Sequence, residues 1–203
     1  MAGASDLMTG PTDAAAPGWA DSQRLLRQAR DGDGEAARRL VDAHSARIYG
    51  LAQRMLGDSA EAEDVTQQTF LTLWDRGEQF RGHSSLGTYL HRIAANLCLD
   101  RLRRRDPRLQ SLDEELILEL PDTAAGPAVQ FEQQQSREDL QRQLSRLPAR
   151  QRMALMLWAY HDAGPAELGE VFDLSANAAS QLLHRAQSNL RTLMTTGARH
   201  VQG

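Results

Sequence analysis

Apolar residues recur at intervals of three and four along most of the chain, which is the spacing of one face of an α-helix. Leu40, Ile48, Leu51, Met55 and Leu56 follow this spacing in the first half. Leucine and alanine supply most such positions and β-branched residues are sparse, which favours helices over strands. The pattern therefore predicts an all-α protein.

Short breaks divide this pattern into separate helices. Gly57-Asp58-Ser59 ends one helix, and Ser59 is placed to cap the next, which runs to about Trp74. A loop over 77–85 leads into a helix over 86–105, and Pro107 stands just beyond its end. The first half of the chain is thus expected to fold as a small helical bundle.

The segment from Pro165 onward has the pattern of a helix-turn-helix. Pro165 suits the first turn of one helix, residues 173–175 form a tight turn, and Ser175 can cap a second helix. In DNA-binding proteins with this motif the second helix enters the major groove. Its candidate contact residues are Asn177, Ser180, Gln181, His184 and Arg185. The segment carries more acidic than basic residues, so a helical hairpin that binds protein remains an alternative.

Composition divides the chain into five segments. Residues 1–20, rich in Ala, Gly and Pro, are predicted to be a disordered arm. A helical domain over 21–105 follows, and an acidic, proline-containing linker spans 106–131. A second helical domain is predicted over 132–196, with a short tail over 197–203. We therefore expect two small domains joined by a flexible linker.

Charge is strongly segregated, although the net charge is only -4. Residues 57–80 hold six acidic residues against Arg76, whereas residues 81–105 hold six arginines against Asp100. Adjacent segments of opposite sign indicate two surfaces with different partners.

The sequence lacks the motifs of catalysis and metal binding. It has no glycine-rich phosphate loop, no HExxH motif and no cysteine pair, and its six histidines are scattered. The single cysteine, Cys98, is expected to be a buried apolar residue. We predict no catalytic residue, no cofactor and no metal. No apolar run reaches the ~18 residues of a membrane span and no signal peptide is evident, so the expected location is the cytoplasm.

The helix over 86–105 presents two neighbouring stripes on a helical wheel. The apolar stripe is Leu86, Tyr89, Leu90, Ile93 and Leu97. The polar stripe is Arg92, Asn96 and Arg103, extended by Arg101, Arg104 and Arg105. Arginine contacts phosphates and asparagine can pair with base edges, which indicates nucleic-acid binding. A solvated arginine-rich helix end explains the polar stripe equally well.

The preceding helix also has two sides. Its apolar side is Ala62, Val65, Thr69, Phe70, Leu73 and Trp74, and its opposite side is Asp64, Gln67, Gln68 and Leu71. A leucine among acids and amides suggests a surface for a protein partner, although one exposed leucine is ordinary.

These segments resemble a known family, the extracytoplasmic-function (ECF) sigma factors of the sigma-70 family. Residues 29–105 are similar to its second sigma domain through ARDGDGEAARRL at 29–40, DSAEAEDVTQQTFLTLW at 58–74 and FRGHSSLGTYLHRIAANLCLDRLRRR at 80–105. Residues 132–194 are similar to its fourth sigma domain through LSRLPARQRMALML at 144–157 and the helix-turn-helix.

The resemblance implies partners and roles. The Asp64, Gln67, Gln68 and Leu71 face would dock on the clamp helices of the β′ subunit of core RNA polymerase. The loop over 80–85, with Arg81, His83 and Ser84, would capture a flipped base of the promoter −10 element. Asn96 would lie near the melted strand, with Arg92 and the arginines at 101–105 on its backbone. The acidic linker would thread towards the polymerase active centre, and an anti-sigma factor is a further implied partner.

Three positions of the second helix of the helix-turn-helix depart from the family pattern. The family usually has lysine and arginine on its DNA-facing side, where this chain has Ser180, Leu182 and Gln187. Contact with the −35 element is therefore expected to be weak. The alternative function is a sigma mimic that sequesters an anti-sigma factor without binding promoters.

Overall fold

The computed structural model describes residues 19–77, 84–105 and 137–200, and this part of the chain consists of helices and the turns between them. The helices are α1 Trp19–Arg30, α2 Gly34–Leu56, α3 Ser59–Arg76, α4 Leu86–Arg105, α5 Arg137–Ser145, α6 Ala149–His161, α7 Pro165–Phe172 and α8 Ala176–His200. The predicted all-α fold is confirmed.

The helix bounds differ from the predicted segments at both ends. The first helix begins at Trp19, inside the predicted arm, and the last reaches His200, inside the predicted tail. Most of the predicted loop over 77–85 and the whole acidic linker over 106–131 lie outside the described residues.

The first domain, α1–α4, is built around α2. This helix packs against α1, α3 and α4, and its side chains Leu40, Ile48 and Leu51 are fully buried. Val65 and Leu73 of α3 complete the same core. The spacing of three and four seen in the sequence thus places one continuous apolar stripe of α2 among three neighbours.

Side-chain caps and a left-handed glycine set the ends of α2 and the start of α3. The Asp33 carboxylate accepts hydrogen bonds from the amides of Glu35 and Ala36, at 3.0 and 3.2 Å. Gly57 ends α2 with φ 72°, a conformation that costs glycine little. Asp58 then caps α3 by accepting from the amide of Glu61 at 3.0 Å. The expectation that Ser59 is the cap was wrong by one residue, because Ser59 is already helical.

The second domain, α5–α8, is organised by the long helix α8, which packs against α5, α6 and α7. A partly buried polar contact joins two of these helices, since Asn189 Nδ2 donates to Gln151 Oε1 at 2.9 Å. Arg150 Nη2 donates to the carbonyl oxygen of Phe172 at 3.0 Å, and so satisfies the carboxyl-terminal end of α7.

The helix-turn-helix consists of α7 and α8 with a tight turn between them. Asp173 adopts the left-handed conformation with φ 58°, and the amide of Leu174 donates to the carbonyl of Gly169 at 2.8 Å. Ser175 caps α8 as predicted, because its Oγ accepts from the amide of Ala178 at 3.2 Å.

The two domains pack against each other in this structure. Helix α7 lies against α4, and α6 lies against α2 and α4. Arg152 Nη2 donates to the carbonyl oxygen of Met55 at 3.1 Å across the boundary. Thr88 Oγ1 lies 3.4 Å from Glu167 Oε1, and the Arg54 guanidinium stacks 4.0 Å above the Tyr160 ring. The interface therefore contains hydrogen-bonded and charged side chains, among them the partly buried Arg152.

Helices of both domains pack against α4, so its buried surface is wider than one face. Leu86 and Leu90 are buried as predicted, whereas Tyr89, Ile93 and Leu97 are only partly buried. The helical wheel did not show a second buried set, which is Thr88, Ala94, Ala95, Leu99 and Leu102. Cys98 is buried among them, and its burial is as predicted. The helical wheel was interpreted as having one buried face, whereas α4 is packed on several sides, so the prediction was too narrow.

Replacement of Gly169 by alanine should destabilise the helix-turn-helix. A Cβ atom at this position would lie 2.8 Å from the carbonyl oxygen of Leu174, which is fixed by the turn. We expect Gly169→Ala to lower the free energy of unfolding in urea by about 1–3 kcal/mol. The control is Gly34→Ala, because a Cβ there would meet no atom within 4 Å. Equal stability of the two variants would contradict the assigned close approach.

Candidate functional site

The solvent-facing side of α3 presents one apolar residue surrounded by polar residues. Leu71 is 59% exposed, the most exposed large apolar side chain in the described part of the chain. Asp64, Gln67 and Gln68 are exposed around it. The predicted buried side is also observed, with Trp74 partly buried and stacked on Phe70 at a centroid distance of 6.3 Å. We call the four exposed residues the α3 face.

A second exposed surface lies on α4. Arg92 and Asn96 are both exposed, and they stand one turn apart on the same side of the helix. The second domain does not cover them, although α6 and α7 pack against α4 elsewhere. Arg104 is exposed at the carboxyl-terminal end of the helix. The structure thus leaves the amide of Asn96 and the guanidinium of Arg92 open to solvent, whereas Arg103, the third residue of the predicted polar stripe, is partly buried.

The other arginines of the cluster make contacts within the domain. Arg103 Nη1 donates to Asp100 Oδ1 at 2.9 Å. Arg105 Nη1 donates to the carbonyl oxygen of Leu56 at 3.0 Å, and the same guanidinium pairs with Glu61. Arg101 is partly buried. The sequence alone does not distinguish Arg105 from Arg104, whereas the structure gives Arg105 a partner at the end of α2.

The loop that leads into α4 is only partly described. Arg81 and His83 lie outside the described residues, and Ser84 is the first residue after them. Ser85 caps α4, because its Oγ accepts from the amide of Thr88 at 3.0 Å. The candidate loop over 80–85 therefore runs directly into the helix that carries Arg92 and Asn96.

The outer face of α8 is less open than the sequence suggests. Asn177 and His184 are exposed, whereas Ser180, Gln181 and Arg185 are partly buried. Within the described residues Gln181 Oε1 is buried without a hydrogen-bond partner, so this oxygen is not open to solvent.

Comparison with protein families places both domains. Residues 40–108 match the model of Sigma-70 region 2, and residues 137–190 match that of Sigma-70, region 4. The chain belongs to the sigma-70 family. We call α1–α4 the region-2 domain and α5–α8 the region-4 domain.

Curated relatives place the chain in the ECF group. SigW of Bacillus subtilis is 28% identical over 177 residues, which cover 83% of this chain and 94% of SigW. SigE of Mycolicibacterium smegmatis is 31% identical over 75% of this chain and 59% of its own length. SigG of Mycobacterium tuberculosis is 37% identical over 71% of this chain and 45% of its own length. Each is described as an ECF RNA polymerase sigma factor, so the family inferred from the motifs is confirmed.

Solved structures share the fold. CnrH, in complex with the cytosolic domain of CnrY, has a TM-score of 0.62 at 22% identity and covers 87% of this chain and 98% of its own. The sigma factor RpoE of Bartonella quintana, in complex with the anti-sigma factor NepR, has a TM-score of 0.53 at 21% identity. It covers 74% of this chain and 91% of its own.

The structure also assembles a cluster that the sequence did not reveal. His91 of the region-2 domain contacts His161 of the region-4 domain, with ring centroids 4.4 Å apart. Burial, with smaller contributions from the neighbouring His161, Arg47 and His44, lowers the pKa of His91 to about 3. Burial also lowers the pKa of His161 to about 4. These residues come from three different helices, so no spacing in the sequence could have signalled the cluster.

The remaining groups offer little chemistry. Burial raises the pKa of the Cys98 thiol to about 12, so the thiol stays protonated and unreactive. In the described ranges, no three residues of metal-ligating type are grouped so that they could hold an ion. No described helix is long and apolar enough to cross a membrane.

Arg105 and Arg104 should respond differently to truncation. Arg105→Ala leaves the carbonyl of Leu56 and the Glu61 carboxylate without this partner, so we expect the free energy of unfolding to fall by about 1 kcal/mol. Both arginines are exposed, but Arg104 makes no hydrogen bond or ion pair with the described residues, so Arg104→Ala should leave stability within about 0.5 kcal/mol. Urea denaturation followed by circular dichroism makes the comparison. Unchanged stability of Arg105→Ala would show that its contacts are energetically neutral.

Proposed function

We propose that this ECF sigma factor docks on core RNA polymerase through the α3 face and reads the promoter −10 element through α4. The observation that carries the proposal is the exposure of Arg92 and Asn96 on a helix that is otherwise buried on several sides. Such a helix is rigid, and base-reading side chains on a rigid element need little ordering when they bind.

The α3 face has the make-up of a protein interface. Leu71 supplies an apolar centre, and Asp64, Gln67 and Gln68 supply a polar surround. Interfaces commonly combine an apolar core with a polar rim. The proposed occupant, by analogy with the family, is the clamp-helix pair of the β′ subunit.

The α4 strip suits a melted promoter strand. Asparagine offers a donor and an acceptor to a base edge, and arginine offers cationic donors to phosphates. Asn96 is the proposed base-reading residue and Arg92 the phosphate contact. Arg103 and Arg104 extend this cationic surface, while Arg105 is drawn towards α2. The loop over 80–85 supplies the proposed pocket for a flipped base.

Promoter binding requires the two domains to part. Helices that pack together have axes about 8–10 Å apart, and α7 of the helix-turn-helix packs on α4. The −10 and −35 elements are about 25 base pairs apart by their names, or roughly 85 Å of duplex at 3.4 Å per base pair. The observed arrangement is therefore proposed as a resting state that opens on the polymerase.

The region-4 domain is proposed to contribute less to promoter affinity. Over residues 176–194 of α8 the arginines are Arg185 and Arg191, and each phosphate contact adds only about 0.9 to the salt slope. Exposed Asn177 can still read a base when the polymerase holds the domain in place.

Further partners and location follow from the family. RpoE is bound by the anti-sigma factor NepR, and we propose a comparable partner for this chain. We propose that the protein acts in the cytoplasm as an initiation factor without catalytic activity of its own. The alternative of a sigma mimic is less favoured, because a mimic has no use for the exposed Arg92 and Asn96.

Disruption of the α3 face should abolish polymerase binding. Gln68→Arg combined with Leu71→Asp replaces the exposed apolar residue by a negative charge and adds a positive charge beside it. The buried side of α3 is unchanged. We expect loss of co-purification with core polymerase and unchanged helicity. The control is Arg38→Asp with Asp42→Arg, which swaps an exposed ion pair on α2 without changing net charge. Normal competition for core by the α3 variant would show that the face is wrongly assigned.

Base and phosphate contacts on α4 should be separable by salt. Asn96→Ala is expected to lose about 1–3 kcal/mol of discrimination at one −10 position without a change in salt slope. Arg92→Ala should weaken binding to all sequences and reduce the salt slope by about 0.7–0.9. Titration of holoenzyme on promoter DNA at several salt concentrations measures both. Identical behaviour of the two variants would contradict the division of roles.

A further inference from the structure

The interface between the domains contains a pair of histidines that the proposed promoter and polymerase contacts do not use. His91 on α4 and His161 at the end of α6 meet edge to face, at an interplanar angle of 61°. Both rings are partly buried by the packing of the two domains. Both ring nitrogens of His161 are buried without a hydrogen-bond partner among the described residues. The pair exists only while the domains are closed.

The charged surroundings of this pair are mostly cationic. Helix α2 presents His44 and Arg47 towards His91, and Arg47 and Arg54 towards His161. One nearby carboxylate, Asp162, follows His161 at the end of α6 and favours its charged form. From α7 the acidic group is Glu167, which contacts Thr88 one turn before His91. A proton placed on either ring is therefore opposed by a second histidine and by arginines, with Asp162 as the partial offset.

We propose that the His91–His161 pair makes domain packing sensitive to pH, so that the domains close when both rings are neutral and part when the rings are protonated. In the closed form both imidazole rings are shielded from water and lie near arginines, so protonation of either ring is unfavourable. The open form returns both rings to solvent, where they can carry charge.

The direction of the effect follows from proton binding. In the closed form the pKa values of His91 and His161 are lowered to about 3 and about 4, against 6.5 for a solvated histidine. As pH falls below 6.5, the two histidines bind protons in the open form but stay neutral in the closed form. Closure is therefore at full strength above pH 6.5 and is lost progressively as pH falls towards 4. At pH 5.5 the closed-to-open ratio should drop by roughly tenfold per histidine, or about 100-fold for the pair.

Distance measurement between spin labels on the full chain tests this directly. Arg39→Cys on α2 and Glu170→Cys on α7 provide exposed attachment sites in the two domains. The native Cys98 can stay, because it is buried and its thiol stays protonated. We expect one short distance at pH 7.5 and a growing long-distance population at pH 5.5, with unchanged helical content. An identical distribution at both pH values would overturn the proposal.

Variants separate the histidines from the rest of the interface. His91→Gln or His161→Gln should reduce the change between pH 7.5 and 5.5 from about 100-fold to about tenfold, and the double variant should show none. Thr88→Val is the matched control, because it removes an interdomain contact without removing a titrating group. This variant should keep the full pH response. Retention of that response by the double histidine variant would overturn the proposal.

A second measurement covers the case in which the double variant no longer closes at any pH. The ring-proton resonances of His91 and His161 in the unsubstituted chain should shift together with the distance change. Titration of both rings near their ordinary pKa while the domains stay closed would overturn the proposal. Because neither experiment contains DNA or polymerase, the outcome does not depend on the proposed function.

Discussion

The burial of α4 is the constraint on which the rest of the structure depends, because helices of both domains pack against it. Ala94, Ala95 and Cys98 are fully buried, and their small side chains allow neighbouring helices to approach closely. What remains exposed is a narrow strip that includes Arg92 and Asn96. The same packing that holds α4 in place therefore determines which part of its middle is open to a partner. A helix held in this way presents its polar side chains with little conformational freedom to lose on binding.

The carboxyl-terminal end of α2 shows how one feature serves both domains. Arg105 satisfies the carbonyl of Leu56 from within the region-2 domain, and Arg152 satisfies the carbonyl of Met55 from the region-4 domain. Free carbonyls at a helix end attract cations, so both contacts are favourable. When the domains part, water can donate to the carbonyl of Met55 in place of Arg152, so the free-energy cost of losing this hydrogen bond is small. Polar contacts between the domains, with a titratable histidine pair among them, suit an interface that we propose to open.

The sequence predicted the features that depend on local spacing and missed those that depend on tertiary contact. The bounds of α4, the exposed α3 face and the Ser175 cap follow from periodicity and capping chemistry. Apart from Cys98, the second buried set on α4 was not predicted, since a helical wheel does not show how many helices will pack against it. The His91–His161 contact was missed for the same reason. The roles proposed for the α3 face, Asn96 and the helix-turn-helix residues stay predictions, because they concern partners rather than this chain's own packing.

Promoter-dependent initiation is the most direct test of the account. Purified full-length chain would be added to core RNA polymerase from the same species, with a library of DNA fragments from that genome as template. The account predicts transcripts that begin at defined positions and require the chain, with a shared sequence at −10 and a weaker one at −35. The contradicting result would be a chain that binds an anti-sigma factor yet yields no chain-dependent transcript from any fragment.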